Sequence, residues 1–270
     1  MSERQQLTLV VFALVAVALV ADFIYESCTR TSAATIAPTQ ADSLLAVKIP
    51  DDMPARMIDY PGFTVSFNAQ AHEPNYVAWE LLGSETSGAA TRDDGKFMAD
   101  ESVYGSATPD DYRRSGYDRG HMCPAGDMKW SVEAMRSCFY MTNMCPQAKA
   151  LNTGAWKKVE EMCRNWARRD SALMIVCGPV LTDRLTETIG GTGVVVPRRF
   201  FKVVLAPYVN PPKAIGFVME NGKVVGGAQA AACTVDEVEN ITGYDFFSAL
   251  PDDIENEVER QCNLTEWQHR

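Results

Sequence analysis

The segment Tyr117-Asp118-Arg119-Gly120-His121-Met122-Cys123-Pro124 places an acid, a guanidinium, a glycine and an imidazole in four consecutive positions, in a chain with only three histidines. Arginine keeps its charge and offers a planar fork that suits phosphate oxygens, while imidazole titrates near neutral pH. A base beside an anion clamp is what hydrolysis of a phosphodiester needs. The same residues also satisfy a plain turn, because glycine and proline punctuate loops. On its own the stretch leaves both readings open.

A second group follows within forty residues: Phe139-Tyr140-Met141-Thr142-Asn143-Met144, then Leu151-Asn152-Thr153-Gly154-Ala155-Trp156, then Glu160. The first piece alternates like a strand, and Asn143 near its end is a costly buried amide unless it finds partners. Asn152 stands where a helix begins. Asparagine is a favoured N-cap there, and equally a neutral oxygen ligand for a hard cation such as Mg²⁺. Glu160 lies eight residues on, a rotation of about 80° at 3.6 residues per turn, so a continuous helix turns both toward one pocket.

These residues need a scaffold. Alternation of period two marks strands in Phe63 to Phe67 and Asn75 to Leu81, and aliphatic or β-branched runs bounded by Gly and Pro mark others at Ala172 to Val180, Val194 to Val196, Phe200 to Leu205 and Ala214 to Met219. Asn152 to Arg169 carries Trp156, Val159, Cys163 and Trp166 at helical spacing. Thr234-Val235-Asp236-Glu237 has the reciprocal cap pattern, with Gly243 placed to stop the helix it starts, and Pro251-Asp252-Asp253 opens a last helix to about Cys262. Strands, a helix, more strands and then helices predict an α+β fold. Residues 45 to 270 are long enough for one sizeable core.

The formal charge of -10 argues against a polyanionic partner only as an average. Residues 113 to 169 hold 11 Lys+Arg against 5 Asp+Glu, whereas residues 220 to 270 hold 3 against 11. The basic third surrounds His121; the acidic third is read as a face turned away from substrate. Residues 1 to 28 contain an apolar run from Leu7 to Ala21, short for a bilayer core of about 30 Å and lacking a well-placed cleavage site. The expectation is a hydrophobic anchor or signal segment, followed by a Thr/Ser/Ala-rich linker over 29 to 44, with the chain held at a membrane and facing the periplasm or exterior, or secreted. The eight cysteines form no C-x-x-C pair, so zinc is not indicated, and buried thiols plus one or two bridges are expected.

DRGHMCPAGDM, TNMCPQ and LNTGAWKKVEE, in this order and at these intervals, resemble the DNA/RNA non-specific endonuclease family, the ββα-metal nucleases. Further likeness runs from about residue 60 to 260, through Gly178-Pro179, Val196-Pro197, Phe200-Phe201-Lys202 and Thr242-Gly243-Tyr244-Asp245-Phe246. The resemblance implies a central antiparallel sheet flanked by helices and carrying a ββα-metal element. It implies an endonuclease acting on DNA and/or RNA through phosphate contacts, with Mg²⁺ as cofactor and Mn²⁺ as its substitute. His121 corresponds to the general base, Asn152 to the direct metal ligand and Glu160 to the holder of metal-associated waters. Arg119 and Arg92 match arginines that support the anionic transition state, and Asn143 a site asparagine that supports the constellation. Products with 5′-phosphate ends and a homodimer among the partners belong to the same expectation. Cys123 and Cys145 depart from the pattern: a disulfide between them would brace the site, and otherwise both are small buried hydrophobes. Two rival readings stay open: a catalytically inactive nucleic-acid-binding module, and a phosphodiesterase acting on another anionic substrate.

Overall fold

In the computed structural model, which describes residues 41–183 and 187–268, the apolar runs become strands whose two sides are both covered. β1 (Arg56–Tyr60), β2 (Phe63–Asn68) and β3 (Glu73–Leu82) form a meander. β4 (Asp118–His121) and β5 (Met144–Gln147) stand apart as a two-stranded ladder. β6 (Ala172–Pro179) returns to the main sheet, β7 (Thr188–Ile189) and β8 (Val194–Val195) pair with each other, and β9 (Arg199–Ala206), β10 (Lys213–Glu220) and β11 (Ala232–Cys233) complete the core. The order β1-β2-β3-β6-β9-β10-β11 makes a seven-stranded sheet in which every neighbouring pair is antiparallel.

Because side chains alternate across a strand, each central strand feeds two cores. Val77, Trp79, Leu81, Leu173, Ile175, Phe200, Val204, Ile215 and Phe217 pack on one side of the sheet. Tyr76, Ala78, Met174, Val176, Phe201, Val203, Leu205 and Ala214 pack on the other. Onto the first side come Met122 and Cys123 just after β4, Cys145 of β5, and Trp156, Val159, Cys163 and Trp166 of the long helix segment. Onto the second come Val235 and Val238 of α3 (Val235–Thr242) and Val258 of α4 (Asp252–Glu259), with Tyr244 and Phe246 between them. Two further helices, α1 (Val132–Ser137) and α2 (Lys157–Asp170), precede these in the chain.

The start of α3 is set as its sequence predicts. The Thr234 hydroxyl accepts from the Glu237 amide at 3.0 Å, the Glu237 carboxylate accepts from the Thr234 amide at 2.9 Å, and Gly243 ends the helix at φ 72°, a conformation that glycine adopts at little cost. α4 begins after Pro251 and stops at Glu259, short of Cys262.

Several expectations are corrected. The predicted helix from Asn152 is two pieces: Leu151–Trp156 forms a wide π-type turn in which Gly154 has φ -105° and ψ -115°, and regular α2 starts only at Lys157. FYMTNM is not a strand. Tyr140 makes a single bridge to Met98 and leads into a 3-10 turn over Met141–Asn143, and the ladder with β4 begins at Met144. Gly120 is no bend either. It lies within β4 opposite Cys145, and a Cβ there would collide with the Gln147 side chain, so close packing demands the glycine.

The chain divides into the units Met1–Thr35 and Ile36–Arg270, and all described residues belong to the second. The expected anchor over 1 to 28 and most of the linker over 29 to 44 lie outside the described residues. Among the described residues no helix is long and apolar enough to cross a membrane. The expected bridge is also corrected. Cys123, Cys138, Cys145, Cys163, Cys177, Cys233 and Cys262 are all free thiols, the first five of them buried. The Cys145 thiol meets the Glu73 carboxyl, and burial pushes the pKa of both Cys123 and Cys145 well up.

Candidate active site

β4 and β5 pair with His121 opposite Met144 and Asp118 opposite Gln147, and α2 completes a ββα element on the first side of the sheet. Between them opens a cleft of roughly 370 Å³ lined by, among others, Arg92, Arg119, His121, Asn152, Glu160 and Arg164. Five of the six residues assigned from sequence therefore meet in one place. The sixth, Asn143, does not line it.

Asn143 works from below. Its Oδ1 accepts from the Cys123 amide at 2.9 Å, and its Nδ2 donates to the carbonyls of Cys123 at 2.9 Å and Cys138 at 2.8 Å. The side chain is fully buried and pairs with the backbone two residues past His121 as a neighbouring strand would. Its own carbonyl accepts from the Met122 amide at 3.0 Å. The amide thus fixes where the chain goes after His121, and its contacts are with backbone alone.

His121 is 8% exposed and stands edge-on to Phe139, ring centroids 5.0 Å apart, with Phe97 at 5.6 Å. Its Nε2 is buried without a hydrogen-bond partner. Burial, and secondarily the charge of Arg92, lowers its pKa to about 3, so the ring is neutral at ordinary pH. Its carbonyl accepts from the Trp156 indole at 3.3 Å, which ties the end of β4 to the π-type turn.

The other end of β4 is tied to the same turn. Asn152 donates from Nδ2 to the Asp118 carboxylate at 3.0 Å. This decides between cap and cleft, because the side chain does not cap α2, whose first turn follows Trp156 without a side-chain cap. It also commits the amide nitrogen and leaves Oδ1 as the acceptor. Glu160 reaches the same cleft from α2, although the rotation argument assumed a continuous helix that the π-type turn interrupts. Burial pushes its carboxyl up to about 7, against the pull of Lys202.

Arg119 donates to the Pro109 carbonyl at 2.8 Å and lays its guanidinium over Phe97 at 5.0 Å, while Arg92 lies over Phe139 at 5.2 Å. Both arginines are thereby stacked on the rings that flank His121. The sequence reading missed Arg164, which pairs with buried Asp127 at 2.8 Å and lines the cleft one turn beyond Glu160. Its spacing of four residues from Glu160 was the available signal. Lys129 and Lys157 also line the cleft and were missed; isolated lysines carry no spacing that marks them.

A family profile described as DNA/RNA non-specific endonuclease matches residues 40–253. The chain belongs to that family. It is 34% identical to the mitochondrial nuclease EXOG of Xenopus laevis over 82% of this chain and 66% of that one. It is 32% identical to a nuclease of Nostoc sp. over 74% of this chain and 76% of that one. A crystal structure of an EndoG/EndoGI complex shares the fold, with a TM-score of 0.70 at 24% identity over 80% of this chain and 95% of that one. The chain spans less than two thirds of the length of the EXOG nucleases it matches. These relatives are named mitochondrial, and no described helix spans a membrane, so the expected membrane-anchored, periplasmic or exterior location is withdrawn.

Proposed function

We propose that this chain is a divalent-metal-dependent endonuclease that hydrolyses phosphodiester bonds of DNA and/or RNA, using His121 as general base. The observation that carries the reading is a neutral, unpartnered His121 Nε2 in one cleft with Arg119, Asn152 and Glu160.

An amide oxygen and a single carboxylate suit a hard cation that keeps most of its waters, which fits Mg²⁺ or Mn²⁺ better than a thiolate-loving metal. Asn152 would hold the ion through Oδ1, because Nδ2 is engaged with Asp118, and Glu160 would hold its waters. When bound, the ion supplies positive charge that offsets the negative charge developing on the phosphate and the departing 3′ oxygen.

His121 Nε2 takes the proton of the attacking water. The ring is a poor base while Arg92 and burial act alone; an incoming phosphate brings the negative charge that stabilises the imidazolium. Phe97 and Phe139 hold the ring edge and keep bulk water from it. Arg119 and Arg92, stacked on those rings, give fixed donors for the anionic transition state. Asn143 positions His121 through the Cys123 backbone. Attack at phosphorus with departure of the 3′ oxygen, which takes its proton from water in the cleft, leaves 5′-phosphate and 3′-hydroxyl ends. Contacts of this kind go to phosphates, so weak sequence preference follows.

The test is the full chain incubated with plasmid and RNA in Mg²⁺, Mn²⁺ or EDTA, beside His121→Ala. Cutting in metal that EDTA abolishes and His121→Ala cripples is the expected result. Binding without cutting by the wild type would instead make the chain a nucleic-acid-binding module.

A further inference from the structure

On the sheet side opposite the cleft, α3 and α4 pack together and bring three carboxylates to one point. One oxygen each from Asp236, Glu239 and Glu259 lie within 4.8 Å of one another. Asp236 and Glu239 are one turn apart on α3, and Glu259 is the last residue of α4. Glu259 is 6% exposed, and its Oε1 is buried with no hydrogen-bond partner. A buried carboxyl with an unpartnered oxygen, on a side chain that meets two further carboxyls, is a costly arrangement that a ligand would relieve.

Neighbouring groups deepen the negative potential. Glu255 and Asp245 act on Glu259 as further carboxylates. The nearby cation Lys48 is engaged by Asp245 at 2.8 Å, and among the described residues no lysine or arginine forms an ion pair with Asp236, Glu239 or Glu259. Glu239 uses one oxygen to accept from the Phe246 amide at 2.8 Å, which holds its carboxylate in place.

We propose that Asp236, Glu239 and Glu259 form a second divalent-cation site, of calcium-binding chemistry, that clamps α3 to α4. Calcium takes six to eight oxygens at about 2.3–2.6 Å, so oxygens up to about 5 Å apart can share one ion, with waters filling the remaining positions. The three carboxylates here differ from the cleft's amide and single carboxylate, and the two sites lie on opposite sides of the sheet. The clamp therefore stabilises the fold rather than the reaction.

Thermal unfolding of the EDTA-stripped full chain with added Ca²⁺ alone, beside Glu259→Gln, Asp236→Asn and Asn152→Ala, tests this. At a Ca²⁺ concentration a hundredfold above the dissociation constant, Tm of the wild type should rise by about 5–10 °C. Asn152→Ala should keep the rise; Glu259→Gln and Asp236→Asn should lose it. If Glu259→Gln does not fold, half-buried Asp236 carries the test. A rise that survives in both acidic-site variants, a rise abolished by Asn152→Ala, or no rise at all would overturn the site. In the last case a proton shared among the carboxylates does the ion's work.

Discussion

The two sides of the central sheet are built from the same strands and carry opposite electrostatics. On one side β4, β5 and α2 gather Arg92, Arg119, Arg164, Lys129 and Lys157 around His121 and Glu160. On the other, α3 and α4 gather Asp236, Glu239, Glu255 and Glu259. A sheet buried on both sides separates one population of charges from the other, so a chain of net charge -10 still presents a cleft rich in cations. The comparison teaches that the average charge says little about partners when a sheet divides it.

The largest effect that would break this division of labour is loss of the base. His121→Ala should cut turnover by at least ~10²-fold with little change in substrate binding, measured as kcat beside an equilibrium titration in EDTA. Near wild-type turnover would remove His121 from the mechanism. Next comes the buried support: Asn143→Leu strands two carbonyls and one amide, and should cost about 3 kcal/mol or more in urea unfolding. Activity per folded molecule should fall with it, since the chain after His121 loses its partner. The pH dependence then separates His121 from the raised carboxyls, with Glu160 of the cleft adding its own loss near pH 7 to the alkaline limb. On the cleft side, folding lowers the His121 pKa to about 3 from 6.5, so the stability tied to it is full above 6.5 and is lost as pH falls toward 3. On the acidic side, folding raises Glu239 to about 7 and Glu259 to about 9, both mainly by burial, from 4.5. Their contribution is full below 4.5 and lost as pH rises through those values. In EDTA, Glu259→Gln should flatten the alkaline decline and leave the acid limb untouched. A mutant that changed the acid limb instead would show the two sides to be coupled. The smallest effect is a single phosphate contact: Lys157→Ala should reduce the slope of log K against log salt by about 0.7–0.9, while Asp236→Asn should leave that slope unchanged.

Much of the fold and of the site is legible in the sequence. The strands announced themselves by alternation, α3 by Thr234 and Glu237 at cap spacing, and the family by three linked motifs. His121, Asn152, Glu160, Arg119 and Arg92 share a cleft, and most of them sit in motifs that the sequence makes recognisable. What stayed hidden depended on contacts distant in sequence. That Asn143 turns inward follows from the backbone of Cys123 and Cys138, which no local pattern encodes. The π-type turn before Lys157 was invisible because the apolar spacing of Trp156, Val159 and Cys163 continues straight across it. Whether Cys123 and Cys145 pair stays open in the sequence, because an even count of cysteines in a chain expected outside the cytosol permits bridges without naming partners; both are free and buried. Gly120 looked like a bend, when the Gln147 side chain beside it was the reason for its missing Cβ.

β4 is only four residues long, yet each of its ends is moored to the turn that precedes α2, through Asp118 to Asn152 and through the His121 carbonyl to Trp156. His121 and Asn152 therefore belong to one opening unit in the native ensemble. Amide exchange along 118 to 121 and 152 to 160 should share a single opening free energy. On warming, the proposed activity should hold in full until that unit opens and then vanish all at once, behaving as a fuse rather than a dimmer.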